Sequence, residues 1–388
     1  MQDDVTFLAS DDLKGRETGT EGELKAAQYI QSRFEAIGLM PKGNSGTYFQ
    51  TFTFEPKNDP HGEVRFRESV ENPNMITGTN VIGFLDNKAA HTVIIGAHYD
   101  HLGMGGEGSL YRDGEAIHNG ADDNASGVAV LLQLASELKT SDLKGNNYLF
   151  IAFSGEEMGL LGSNYFTKNT TVPWTTANYM INMDMVGRLN DESAIAVHGV
   201  GTSPIWKQAI FSANDTFTLS EHESGVVPSD HTSFYLNDIP VLHFFTGQHS
   251  DYHKPGDDSE KLNYEGMDRI KNYILAIIKE VDNNGKLKFT KTKNESEAVP
   301  AFKVGLGVVP DYLYSGKGMR IDGVSEGRAA QNAGLLKGDV VIKMGDSTVT
   351  DMMSYMRVLS TFDVGDKTSV VIQREGEDLK KDITFVKD

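Results

Sequence analysis

Apolar positions recur at helical spacing between residues 20 and 37, where Ala26, Ala27, Ile30, Phe34 and Ile37 share one face. Thr20 and Glu23 precede them with the spacing of a capping box. Residues 41–78 are rich in Gly, Asn and Pro and show few periodic stretches. Strand-like runs follow at Asn80–Leu85, Thr92–Ala97 and Tyr148–Phe153. The last two are nearly continuous apolar runs, as strands covered on both faces require. Between them a helix is predicted from Gly127, with Val128, Leu131, Leu132, Ala135 and Leu138 as its buried stripe. Strand, helix, strand is the unit of a parallel sheet. Further strands are predicted at Asn178–Met183, Ala194–His198 and Pro240–Phe245, and helices at 203–213 and 265–281. The fold class expected is α/β: a mixed, mostly parallel sheet sandwiched by helices.

After Val281 the pattern changes. Residues 283–299 are polar and charged and read as a linker. Beyond Pro300 come short β-type runs, glycine turns and one helix at about 350–361. The organisation expected is a large domain over 1–284, a linker over 285–299 and a small β-rich domain over 300–388. There is no internal repeat.

The chain has 388 residues and a formal net charge of −19, from 36 basic and 55 acidic side chains. That balance excludes a nucleic-acid-coating surface and a polybasic membrane binder. No apolar run reaches the ~18 residues of a membrane span. The first residues, MQDDVTFLASDDLKGRE, lack the basic start and apolar stretch of a signal peptide. Cysteine is absent, so any metal must be held by His, Asp and Glu.

Five short segments carry candidate chemistry, each just after a predicted strand or at a helix start, where ligands of open α/β sheets gather. His98-Tyr99-Asp100 offers an imidazole and a carboxylate able to orient it. Gly120-Ala121-Asp122-Asp123-Asn124-Ala125-Ser126-Gly127 opens a helix with more acid than one cap needs. Glu156 and Glu157 stand together at the mouth of a buried strand, a costly placement without a compensating cation. Asp184 lies among apolar residues at a strand end, and His253 follows another strand within Asp251-Tyr252-His253-Lys254-Pro255-Gly256-Asp257. Two histidines, a bridging Asp, a Glu and a second Asp suit two zinc ions, and one Glu is left over for proton transfer.

With these motifs in hand, H-Y-D at 98–100, G-A-D-D-N-A-S-G at 120–127, S-G-E-E-M-G-L-L-G-S at 154–163, N-M-D-M at 182–185 and D-Y-H-K-P-G-D at 251–257, the chain resembles the M28 family of di-zinc aminopeptidases. The resemblance spans residues 5–282. It implies two Zn²⁺ per chain, with Asp122 bridging, His98 and Asp184 completing one site, and Glu157 and His253 the other. It implies Glu156 as general base and acid, Asp100 as the partner of His98, and Tyr252 as a hydrogen-bond donor to the substrate carbonyl. The implied substrates are peptides with a free N-terminus, attacked by a metal-bridged hydroxide. It further implies a cis peptide at Asp122–Asp123, and a bacterial periplasmic or secreted location. Ser229-Asp230-His231-Thr232-Ser233-Phe234 reads as a pocket wall or a support behind the ligands and not as a ligand, His101 and His243 as structural or solvated, and Leu102–His118 either as a rim or lid over the site or as a long loop.

Residues 304–308 (V-G-L-G-V) and 319–346 resemble a PDZ domain of the type attached to bacterial proteases, which implies capture of a peptide C-terminus. Three other readings stay open. A carboxypeptidase would want a basic residue such as Arg188 or Lys254 at the site. A glutaminyl cyclase of the same fold would need one zinc. A non-catalytic binding protein, or an adaptor centred on the PDZ-like domain, would retain the fold without turnover.

Overall fold

The structure is a computed structural model that describes residues 1–56, 65–67, 75–106, 108–292, 304–311, 314, 316–325 and 327–385. The chain divides into two compact units, the larger built from Met1–Thr246 and Asp251–Glu295, the smaller mainly from Ser296–Asp388.

The larger unit holds a ten-stranded sheet: β1 (Met40–Pro41), β2 (Phe49–Glu55), β3 (Arg65–Arg67), β4 (Ile76–Leu85), β5 (Thr92–His98), β6 (Asn147–Phe153), β7 (Ala177–Met183), β8 (Ala194–His198), β9 (Thr218–His222) and β10 (Val241–Phe245). Its order is β3-β2-β4-β6-β5-β7-β10-β8-β9, with β1 beside β4. The centre, β6-β5-β7-β10, is parallel throughout. The antiparallel pairings lie towards the flanks, β4 on β6 and β8 on β10. Every residue of β5, β6 and β7 is buried, which is why these strands read as continuous apolar runs.

Helices α1 (Gln2–Leu8), α2 (Glu21–Ile37), α3 (Gly127–Thr140), α4 (Leu161–Lys168), α5 (Trp206–Ala213), α6 (His231–Tyr235) and α7 (Tyr264–Val281) complete this unit. The Thr20 side chain accepts from the Glu23 amide, as the capping-box spacing predicts, and α2 ends on left-handed Gly38. The main core joins α2, α3 and α7 to one sheet face through Ile30, Phe34, Val128, Leu131, Ile270 and Ile274. A second core gathers Ile82, Ile94, Ile151, Phe153, Phe166 and Phe234.

The spacing predicts no element at α1, α4, α6, β1, β2, β3 or β9. In β2 the reason is a buried polar residue. Gln50 is fully buried, receives a 3.1 Å bond from Asn80 and donates a 2.7 Å bond to the Asn169 carbonyl. Residues 285–292, the start of the expected linker, lie against the larger unit. Leu287 is buried and its amide donates to Asn178, while Thr290 donates its amide to the Thr202 carbonyl. Residues 293–299 of that segment lie outside the described residues.

The smaller unit is a six-stranded antiparallel sheet, β11 (Val308–Pro310), β12 (Met319–Val324), β13 (Val340–Met344), β14 (Ser347–Thr348), β15 (Lys367–Arg374) and β16 (Glu377–Thr384). Two helices, α8 (Ala329–Asn332) and α9 (Met352–Leu359), accompany it. Its own core contains Leu306, Ile321, Val341, Val370 and Ile372. No helix among the described residues is long and apolar enough to cross a membrane.

Candidate metal centre

Topology gathers the candidate residues at one end of the central parallel strands. His98 is the last residue of β5, Glu156 and Glu157 follow β6, Asp184 follows β7, and His253 lies in the loop after β10. Asp123 comes from the turn that opens α3. This is the carboxyl end of the sheet, where ligands of α/β folds collect.

The donor atoms converge in two groups that share one carboxylate. His98 Nε2 lies 3.3 Å from Asp123 Oδ1 and 3.3 Å from Asp184 Oδ1. On the other side of Asp123, Oδ2 lies 3.2 Å from His253 Nε2, and Glu157 Oε2 lies 3.4 Å from the same nitrogen. A tetrahedral zinc with bonds of about 2.0–2.1 Å sets neighbouring donors about 3.3–3.4 Å apart, so both groups have the spacing a zinc ion demands. The charges agree with this fit. Three carboxyl groups, Asp123, Asp184 and Glu157, face the two histidines, a surrounding that favours a cation between them.

Those fields are visible in the proton affinities. Burial opposes a charge on His98, but Asp184, Glu156, Asp100 and Asp123 outweigh it and hold its pKa well above the imidazole range. Burial likewise opposes protonation of His253, yet Glu157 and Asp123, helped by the Gly108 carbonyl, push it up to about 9. Glu156 goes the other way for a carboxylate. Burial, then Asp184, Glu157 and Asp230, raise it well above the usual range against the pull of His98.

Around the donors stand residues that hold them. Asp100 Oδ1 accepts the Glu156 amide at 3.1 Å and Oδ2 accepts Thr18 Oγ1 at 3.1 Å, while the Asp100 carbonyl faces His98 Nδ1 at 3.2 Å. The Ser229 hydroxyl donates to Asp184 Oδ2 at 2.7 Å, so the S-D-H-T-S-F segment supports a donor instead of supplying one. The rim between Leu102 and His118 reaches His253 directly. Gly108 accepts from His253 Nδ1 at 2.8 Å, and the Leu110 amide donates to the His253 carbonyl at 2.9 Å. Tyr252 stacks on the His253 ring, centroids 3.8 Å apart. His243 is buried, faces Asn182 and stacks on His231 at 4.4 Å.

Three sequence expectations change here. Asp122 is not in the cluster: its Oδ1 accepts the Gly187 amide at 2.6 Å and the Ser126 hydroxyl at 3.0 Å. Asp123 takes the shared position, because the backbone turns at Asp123 and Asn124 with non-helical dihedrals. The cis peptide is correspondingly Asp123–Asn124. His101, read as structural or solvated, lies inside the cluster with Nδ1 2.7 Å from Glu157 Oε1.

A buried cation underlies the whole arrangement. Arg16 is fully buried and donates to the carbonyls of Leu8, Tyr99, Asn119 and Gly120. It therefore ties the His98 loop to the Asp123 turn. Burial lowers its pKa to about 10 in spite of Asp100, Asp123, Asp257 and Glu157 nearby. Arg16→Met is expected to destabilise the larger unit by about 3–5 kcal/mol, the cost of stripping a buried charge from its partners. Urea unfolding measures it, and a loss below about 1 kcal/mol would contradict the clamp.

Residues 80–278 match peptidase family M28, and residues 288–385 match the PDZ domain. The first match covers half of the chain, and the chain belongs to peptidase family M28. The uncharacterized protein YfbL of Escherichia coli is 28% identical over 222 residues, covering 48% of this chain and 66% of YfbL. Aminopeptidase YwaD of Bacillus subtilis is 27% identical over 247 residues, 58% of this chain and 50% of YwaD. The chain spans about half the length of the curated relatives it matches. Among solved structures, the zinc aminopeptidase BSAP of Bacillus subtilis aligns with a TM-score of 0.55 at 17% identity, over 76% of this chain and 95% of BSAP. Glutaminyl cyclase of Porphyromonas gingivalis aligns equally well, TM-score 0.55 at 18% identity, over 72% of this chain and 98% of the cyclase. Both likenesses concern the fold.

Proposed function

We propose that the chain is a zinc-dependent aminopeptidase that removes residues from peptides with a free N-terminus. The observation that carries this reading is the pair of donor groups sharing Asp123, His98 with Asp184 on one side and His253 with Glu157 on the other, with Glu156 beside them. His98, Asp123 and Asp184 would hold one zinc and Asp123, Glu157 and His253 the other. Bound zinc supplies Lewis acidity towards the scissile carbonyl and lowers the pKa of a water.

The remaining chemistry belongs to the chain. Glu156 accepts the proton of the attacking water and passes it to the leaving amine. Asp100 keeps the Glu156 backbone and the His98 ring in place. Tyr252, braced on His253, donates to the substrate carbonyl oxygen as negative charge develops there. The acidic surroundings of Asp184 and Glu157 favour an ammonium group at the substrate's end.

The rival readings fare less well. Arg188 is engaged by Asp251 at 3.1 Å and by Asp257 at 3.5 Å, which weighs against its serving a substrate carboxylate. The cyclase fold is equally near, but two complete donor groups favour the two-zinc reading over it. Export from the bacterial cell belongs to the same proposal and rests on family resemblance. For the PDZ domain we propose a peptide C-terminus as ligand, added along β11, which ends the sheet order of that unit.

The test is metal content and turnover on one sample. Two zincs per chain, with chelator-sensitive release from aminoacyl amides and none from N-blocked peptides, is the expected result. Cleavage only at a free C-terminus would overturn it.

Proton release offers an independent check. In the metal-free chain the surrounding carboxylates push His253 up to about 9 and hold His98 well above the imidazole range, so both favour the protonated form. Zinc requires neutral imidazole, so binding expels those protons and zinc affinity rises with pH up to about 9. Calorimetry in buffers of different ionisation enthalpy is expected to show more than one proton released per chain. Binding with no proton release contradicts the assignment of these two histidines.

A further inference from the structure

We propose that His101 is a positioning residue that holds Glu157 to a single metal-binding oxygen; the inference rests on the two-zinc reading above. The side chain of His101 is fully buried. Its Nδ1 lies 2.7 Å from Glu157 Oε1 and 3.9 Å from Asp123 Oδ2. Its Nε2 has no hydrogen-bond partner among the described residues. The Asp123 turn is built tightly against it: a Cβ on Gly120 would lie 2.5 Å from the His101 ring.

Two roles compete for an imidazole in this place, and distance separates them. In the two groups each histidine nitrogen stands 3.2–3.4 Å from its carboxylate oxygens, the edge of a zinc tetrahedron. The 2.7 Å from His101 to Glu157 is too short for such an edge and right for a charge-assisted hydrogen bond. Nδ1–H therefore donates to Oε1. Glu157 is left with Oε2, which faces His253 at 3.4 Å. A carboxylate committed in this way offers a zinc one oxygen and not two, which would leave a coordination position free for water or substrate. Fixing a ligand through an outer hydrogen bond is a recognised means of tuning metal affinity.

The experiment is zinc titration against a competing chelator on the full chain, with folding checked by circular dichroism. His101→Leu is expected to weaken one of the two zincs about 10–100-fold and leave the other unchanged. His101→Gln retains an N–H donor and is expected to restore most of that affinity. His101→Leu with wild-type affinity for both zincs overturns the proposal. So does His101→Gln as weak as His101→Leu, which would make His101 a ligand. Should His101→Leu fail to fold, the double variant decides. His101→Ala alone is then to weaken one zinc about tenfold or more, and beside Glu157→Gln, which removes the partner, less than about twofold; an equal loss in both backgrounds overturns the coupling. A wild-type chain that binds fewer than two zincs refutes the two-zinc reading itself, before any variant is compared.

Discussion

Glu156→Gln is expected to lower kcat by about 10²–10⁴-fold while leaving zinc content unchanged. The amide keeps the shape of the side chain but cannot take a proton from water or return one to a leaving amine. Geometry separates Glu156 from the donor groups: Asp123, Asp184 and Glu157 face the histidines, and Glu156 joins neither group. Its backbone is held by Asp100, so the substitution alters the carboxyl without moving the strand end. Burial and the neighbouring carboxylates Asp184, Glu157 and Asp230 raise its proton affinity, which suits a group that must hold a proton between two steps. The measurement is metal analysis beside turnover on an aminoacyl amide. Wild-type kcat would remove Glu156 from the mechanism. Loss of zinc would make it a ligand.

The central strands and the three long helices were legible because burial on both faces, or on one helical stripe, writes itself into apolar spacing. β5 and β6 agree with their sequence runs to within a residue. The linkage between motif and sheet end was also legible, since His98 closes β5, Glu157 and Asp184 closely follow β6 and β7, and His253 lies in the loop after β10. What the spacing did not carry was orientation inside loops. His101 sits two residues past Tyr99, in a segment with no period. It is aimed at Glu157 by contacts from far away, including the bond from its amide to the Arg16 carbonyl at 3.3 Å. A signal existed: a histidine three residues after His98, beside a glycine-rich stretch, in a chain with 11 histidines and no cysteine.

The same limit explains the choice between Asp122 and Asp123, where two identical side chains stand in adjacent positions. Composition and motif are blind to which one faces the metals, and backbone dihedrals decide. The amides of both residues are pinned by Asp257 Oδ2, at 2.9 Å and 3.0 Å, and the turn then sends the two carboxylates in different directions. The Asp122 side chain closes the loop on Gly187 and Ser126. The fit at Gly187 is tight, since a Cβ there would lie 2.7 Å from Asp122 Oδ1.

Opposite outcomes are therefore expected for two neighbouring substitutions. Asp123→Ala removes the one carboxylate that both donor groups share. Each group is left with one imidazole and one carboxylate, short of the three protein ligands that a catalytic zinc site keeps. Both zincs are expected to be lost on dialysis, and kcat with them by at least about 10³-fold, while the fold survives because the site's polar atoms face each other and not the core. Asp122→Asn keeps the side chain's size and its carbonyl oxygen. It exchanges a charge-assisted acceptor for a neutral one at the Gly187 amide, a loss of about 1–2 kcal/mol in stability. Zinc content in that variant is expected to stay near two per chain. The pair is read by metal analysis after dialysis and by thermal unfolding. Should Asp122→Asn lose zinc and Asp123→Ala retain it, the shared ligand is Asp122. If both lose zinc while remaining folded, the loop acts as one unit and the separation of roles between its two aspartates fails.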